Sequence, residues 1–135
     1  MVLSLFFNGK KGLNLFIFTS YLMAYNQILA DRIREQLQHL EGIEEKEMMG
    51  GLCFMLNDKM CVGIIKDEMM CRFDPALYEE ALEKTGCHEM DFTGRPMKGW
   101  VLIDDSGMKT VADLNYWIGL ALDYNKYAKS SKKKK

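Results

Sequence analysis

Two histidines, four cysteines and several adjacent acidic pairs are the side chains of this 135-residue sequence that could carry chemistry. A thiol beside an imidazole is a nucleophile and its base, and Cys87 directly precedes His88. Neighbours on an extended chain point to opposite sides, however, so this imidazole would not reach this thiol. His39 falls at the end of a predicted helix, where the helix dipole favours such a residue. Glu44-Glu45, Glu79-Glu80 and Asp104-Asp105 lie on expected turns or solvent faces and read as solvated surface rather than acid–base pairs. Cys53, Cys61, Cys71, Cys87 and His88 are all metal-ligand types, but their spacing matches no common zinc pattern. Phosphate-binding glycine loops and the H-E-x-x-H helix are absent. The expectation is no catalytic residue, no metal and no cofactor.

One segment carries chemistry of another kind: Asp91-Phe92-Thr93-Gly94-Arg95-Pro96-Met97-Lys98-Gly99-Trp100. Gly94 and Gly99 free the backbone, Pro96 restricts it, and Arg95 with Lys98 supply fixed cations. In one reading Arg95 and Lys98 grip an anion or an acidic partner, with Phe92 and Trp100 as aromatic anchors. In the other, Arg95 pairs with a carboxylate of the body such as Glu45 or Asp91, and the aromatics plug the edge of the core.

The elements around this segment follow from hydrophobic spacing. Tyr25, Ile28, Leu29, Ile33, Leu37 and Leu40 recur at helical steps, so residues 25–40 are expected to form a helix closed by Gly42. Residues 43–49 alternate with charges, and Gly50 and Gly51 permit a sharp turn or bulge. Strands are expected at 52–56, 60–65 and 69–73, joined by a turn at Asn57-Asp58 and another at 66–68. Asp74-Pro75 should open a second helix with Leu77, Tyr78, Ala81 and Leu82 inward, ending at Gly86. After a loop around 91–96 comes a strand at 100–103. A capping box, Thr110-Val111-Ala112-Asp113, then starts a third helix with the stripe Val111, Leu114, Trp117, Ile118, Ala121 and Tyr124. The order α-β-β-β-β-α-β-α predicts an α+β domain, an antiparallel sheet of about five strands packed with three helices.

The charge of the whole chain, −1, is a sum over unlike parts. Residues 129–135 hold five lysines and residues 1–22 hold Lys10 and Lys11, without an acid in either stretch. Residues 23–128 hold eleven basic and nineteen acidic residues, a net of −8. Such a body argues against a compact nucleic-acid-binding domain, which needs a basic face. Weak, non-specific binding through Lys132, Lys133, Lys134 and Lys135 is the remaining route to a polyanion, beside a merely solubilising, disordered tail. The cysteines lack a disulfide framework and mostly sit in apolar runs, which points to free thiols in the cytoplasm.

Residues 1–22 lack the layout of a cleaved signal, and their apolar stretch is shorter than the roughly 20 residues a membrane span requires. A start at Met23, which leads straight into the first helix, is the preferred reading, with no membrane partner. The expected organisation is a mis-assigned or flexible extension at 1–22, a domain at 23–128 and a lysine tail at 129–135.

Residues 23 to about 127 resemble the N-terminal domain of the TfoX/Sxy family, regulators of natural competence. The matching pieces are Met23-Ala24-Tyr25, Gly42-Ile43-Glu44-Glu45-Lys46, Met48-Met49-Gly50-Gly51-Leu52-Cys53-Phe54-Met55, Lys59-Met60-Cys61-Val62-Gly63 and the segment from Met90 to Trp100-Val101. Where relatives often read Met-Phe-Gly-Gly, this chain has Met48-Met49-Gly50-Gly51. The resemblance implies an α+β fold, no enzymatic activity and no family catalytic residues. Competence regulators of the family act with the cyclic-AMP receptor protein at promoters and carry a second, C-terminal domain. The expectation carried over is therefore a stand-alone interaction domain linked to transcription, with Phe92, Arg95, Lys98 and Trp100 facing a protein partner. A small-ligand or enzymatic role would require Cys87, His88 or Arg95 to meet in a pocket.

Overall fold

The computed structural model describes residues 25–48, 50–91, 94 and 96–128. Phe92, Thr93, Arg95, the first 24 residues and the lysine tail lie outside the described residues. Helix α1 (Gln27–Leu37) starts where the Asn26 side chain accepts from the Ile28 and Leu29 amides at 2.8 and 3.1 Å. Its inward face is Leu29, Ala30, Ile33 and Leu37. Ile28, expected to point inward, is 74% exposed, and Ala30 holds the inward position instead. On a helix, position 28 lies about 140° around from Ile33, so both cannot face one sheet.

Four strands follow as a meander: β1 (Ile43–Met48), β2 (Gly51–Leu56), β3 (Lys59–Ile65) and β4 (Glu68–Arg72). The β2–β3 turn places Asn57 and Asp58 at φ 55° and 64°, the left-handed pair that matches hairpin twist. A single turn of 3-10 helix (Pro75–Leu77) leads into α2 (Tyr78–Leu82), with the Asp74 carboxylate accepting from the Ala76 amide at 2.9 Å. Then come β5 (Cys87–Glu89), β6 (Trp100–Ile103) and α3 (Val111–Asn125). The capping box of α3 is present in both directions.

The sheet has six strands in the order β1-β2-β3-β4-β6-β5, every neighbouring pair antiparallel. This is the expected α+β class with one correction, the additional strand β5, for which residue spacing predicts no strand. It is only three residues long and pairs with β6 alone, Cys87 opposite Ile103 and Glu89 opposite Val101. A segment this short carries no periodicity and becomes a strand through its partner. The opposite edge, β1, exposes Glu44, Glu45, Lys46 and Glu47, charges that discourage pairing with another chain.

The three α-helices of the described residues pack on one face of the sheet. Leu29, Ile33, Tyr78, Ala81, Leu114, Trp117 and Ile118 join Leu52, Phe54, Val62, Ile64, Met69, Cys71, Val101 and Ile103 in a single cluster. Asn125, buried at the end of α3, donates through Nδ2 to the Leu56 carbonyl at 3.2 Å and ties the helix to the β2–β3 hairpin. Arg32 similarly reaches from α1 to the Met108 carbonyl at 2.7 Å.

Within this core the buried Tyr78 hydroxyl has no hydrogen-bond partner among the described residues. A buried polar group left unmade costs about 1–3 kcal/mol. Tyr78→Phe keeps the ring and removes the orphan, so it should raise stability by about 1 kcal/mol. Urea unfolding of the full chain checks this, and a lower midpoint would show that the hydroxyl is satisfied. No helix among the described residues is long and apolar enough to cross a membrane.

Candidate functional site

The strands of this sheet alternate, so its second face is set by the residues between those of the helix-side core. Met48 on β1, Cys53 and Met55 on β2, Met60 and Ile65 on β3, Met70 on β4, Trp100 and Leu102 on β6, and Met90 just after β5 form a second cluster. Among the described residues no helix residue belongs to it. Its methionines are unbranched and polarizable, the side chains best able to fit an irregular apolar neighbour. Gly63 lies among them, and a Cβ there would come within 2.7 Å of the Met70 methyl and 3.0 Å of the Leu52 carbonyl. The glycine therefore lets Met70 and Cys53 lie close against the strand.

The segment singled out in the sequence is anchored to this face at both ends. Met90 and Trp100 belong to the cluster, and the Met97 amide donates to the Met90 carbonyl at 3.2 Å. The Trp100 amide donates to the Met97 carbonyl at 3.0 Å, and the Phe73 amide to the Gly99 carbonyl at 2.8 Å. Gly99 sits at φ 88°, and a Cβ there would stand 3.0 Å from the Phe73 carbonyl and 3.3 Å from the Pro75 ring. Trp100 is half-buried with the Arg72 guanidinium 5.0 Å over its ring, across the β4–β6 pair. Lys98 is exposed. Gly94 and Pro96 are exposed too, whereas Phe92 and Arg95 fall outside the described residues.

Glu45, one candidate mate for Arg95, is engaged elsewhere. Arg34 of α1 holds it with two hydrogen bonds at 2.7 and 2.8 Å and reaches Asp31 at 2.8 Å. The Arg34 contact keeps the Glu45 carboxyl below its ordinary range and pushes the guanidinium further up. This forked pair clamps α1 onto the edge strand β1.

The cysteines are placed against chemistry. All four are free and buried. Burial raises the thiols of Cys53 and Cys87 to about 11 and Cys61 to about 12, and Cys71 well above its usual value. A thiol so shifted is protonated at neutral pH and a poor nucleophile. Cys87 points into the helix-side core while His88 is exposed, so the adjacent pair is split across the sheet.

His88 instead meets Asp104, Nε2 to Oδ2 at 2.7 Å, a partner that sequence spacing does not suggest. The Ser106 hydroxyl and amide both donate to the other oxygen, Oδ1, at 2.5 and 2.9 Å. The Ser106 hydroxyl foremost, and His88 after it, hold the Asp104 carboxyl below its ordinary range. Serine, histidine and aspartate are thus neighbours in the wrong order for a nucleophile. The carboxylate stands in the middle, and the hydroxyl donates its hydrogen bond to it rather than to the imidazole.

A concavity of about 650 Å3 between α2 and α3 is lined by Lys84, Thr85, Ser106, Asp113, Tyr116 and Trp117 among others, and contains neither Cys87 nor His88. Lys84 Nζ lies 4.8 Å over the Tyr116 ring there, a surface cation–π contact. Among the described residues no group of three or more histidine, cysteine or acidic side chains is placed to hold a metal ion.

The methionine-rich face is missed when each strand is assumed to have a single inward set of side chains. The signal is present in the sequence: 52–56, 60–65 and 69–71 are nearly unbroken apolar runs, the pattern of strands buried on both faces.

Residues 35–124 match the family model of the TfoX N-terminal domain. No curated protein and no solved structure matches the chain.

Proposed function

Because the chain belongs to the TfoX N-terminal domain family, with ninety of its 135 residues matched, we propose that it is a non-enzymatic protein-interaction module linked to transcription and competence regulation. The partner surface is the loop between β5 and β6, with Phe92, Arg95, Lys98 and Trp100 as its contacts. The observation that carries this reading is the anchoring of that loop. Backbone bonds from Met97 to Met90 and from Phe73 to Gly99 hold its two arms, and exposed Lys98 lies two residues before half-buried Trp100. Arms held in place before binding lose less entropy on association, and cations together with an aromatic anchor suit an acidic peptide surface. Buried, protonated thiols and the carboxylate-centred Asp104 cluster support a role outside catalysis. Four free thiols also suit a reducing compartment such as the cytoplasm.

The test is an affinity pull-down with the full chain and with an Arg95→Ala, Lys98→Ala double variant. Hydrogen bonds from charged groups contribute about 1.5–3 kcal/mol, so the double variant should weaken capture by roughly tenfold or more. Its circular dichroism spectrum should be unchanged. Unaltered capture overturns the assignment, and loss of folding gives the two cations a structural role instead.

A further inference from the structure

The centre of the sheet's second face is buried, although no described helix packs on it. Cys53, Met55, Met70 and Met90 are only 1–2% exposed, yet no helix or strand among the described residues lies over them. A sheet face turned to water carries polar side chains, and this one is apolar from β2 to β6.

The chain arrives beside it. Tyr25 bridges Lys66 in parallel, the Asn26 amide donates to the Lys66 carbonyl at 2.7 Å, and Asn26 Nδ2 donates to Asp67 at 3.2 Å. Lys66 directly follows Ile65, a member of the methionine-rich cluster, at the end of a central strand. Whatever precedes Tyr25 therefore starts beside the end of a central strand, one residue from Ile65 of the second face, although Tyr25 itself packs on the helix side. One face is already taken by the three helices.

The preceding residues have the matching chemistry. Eight of the eleven residues from 13 to 23 are Leu13, Leu15, Phe16, Ile17, Phe18, Tyr21, Leu22 and Met23. Eleven residues reach about 16 Å if helical and about 36 Å if extended. Strands β2, β3, β4 and β6 sit about 4.8 Å apart, so the apolar width to be crossed is about 14 Å. Length, point of arrival and composition agree.

We propose that the apolar run at residues 13–23 docks in cis on the methionine-rich face of the sheet, making the N-terminal extension the built-in occupant of that surface. The methionines accept its aromatic side chains without a preformed groove, and sulfur–aromatic contacts favour them. The proposal stands apart from the partner assignment of Lys98 and shares with it only the anchor residues Met90 and Trp100. It is also opposed to the reading in which the domain begins at Met23, so one experiment separates the two.

Two measurements on the full 135-residue chain decide it. In the first, p-benzoylphenylalanine replaces Phe16 and is photo-activated. Attachment to Met55, Met60 or Met70 of the same chain supports the proposal. Attachment between chains, which would make a second copy the occupant, or to none of these methionines, overturns it. In the second, hydrogen peroxide oxidation is compared between the native chain and a Phe16→Asp, Phe18→Asp variant. Met55, Met70 and Met90 should oxidise on the order of tenfold faster in the variant, as methionines do when they gain exposure. Met69 and Met108, buried on the helix side, serve as controls and should not change. Equal rates for all five methionines in both proteins overturn the proposal. If the controls accelerate as well, the variant has lost the whole fold, and the cross-link on the otherwise native chain decides between the outcomes.

Discussion

Gly51→Ala should destabilise the domain by about 3 kcal/mol or more, at the upper end of overpacking costs, and lower the melting temperature by roughly 15 °C. Gly50→Ala, one residue away, should cost only about 1 kcal/mol. The two glycines stand in the same motif and serve different ends. Gly50 lies at φ 74° with nothing within 4 Å of a Cβ built on it, so its only requirement is a left-handed backbone. Gly51 is the first residue of β2, buried against β3. A Cβ there would run into the Ile64 carbonyl oxygen and stand 3.2 Å from its carbon and 3.3 Å from Ile65 Cγ1. The obstacle is backbone of a central strand, which cannot rotate aside as a side chain would. Relief requires β2 and β3 to separate at the end where the chain also arrives through Asn26 and Lys66. Differential scanning calorimetry of both variants checks the contrast. Equal small losses would mean that Gly51, like Gly50, is there only for the turn.

The same contrast marks what can be read from residue order. Elements that carry their own signal are legible: the Thr110–Asp113 capping box, the Asp74-Pro75 start and the Asn57-Asp58 turn are local chemistry, and all three are present. Helical stripes are legible in outline and blurred at their ends. Val111 fits the spacing of α3 but sits in its first turn and is 57% exposed, while buried Asn125 closes the helix without any signal in the spacing. A polar residue facing the core is invisible until its partner, here the Leu56 carbonyl, is known. Long-range pairings behave likewise. His88 with Asp104, Arg34 with Glu45 and Arg32 with the Met108 carbonyl each join segments that nothing in their local sequence connects.

The candidate site divides along the same line. Its loop stands out because glycines, a proline and cations concentrate there, but the surface it rests on does not. That surface draws one or two residues from each of five strands, with Met90 beside the sixth, and only strand order brings them together. A face assembled this way has consequences for function. Met90 and Trp100 belong both to the ends of the loop and to the methionine-rich face, so an occupant of the face and a partner of the loop would both bear on Trp100. Binding at one place then alters the support of the other, provided that the two differ in their preferred anchor positions.

Trp117→Ala should remove about 3–5 kcal/mol, the cost of deleting a large buried aromatic side chain, while Tyr116→Ala should cost within about 1 kcal/mol. The indole of Trp117 is 2% exposed and stacks on Phe73 at 6.4 Å between ring centroids. Phe73 follows β4, and its amide bonds to Gly99 at the foot of the candidate loop. The backbone of Trp117 is also engaged, its carbonyl lying 3.8 Å from the buried Cys71 thiol. Trp117 thus joins the long helix α3 to the centre of the sheet and to the residue that braces the loop. Tyr116 meets the same indole edge-on at 5.0 Å, yet it is 42% exposed and its ring faces Lys84 in water. Domains of this size have only about 5–15 kcal/mol in total, so loss of the indole takes a large fraction of the margin. Urea midpoints measured by circular dichroism give both values. A Trp117 variant no weaker than the Tyr116 variant would show that α3 is not what holds the sheet, and with it the loop, in place.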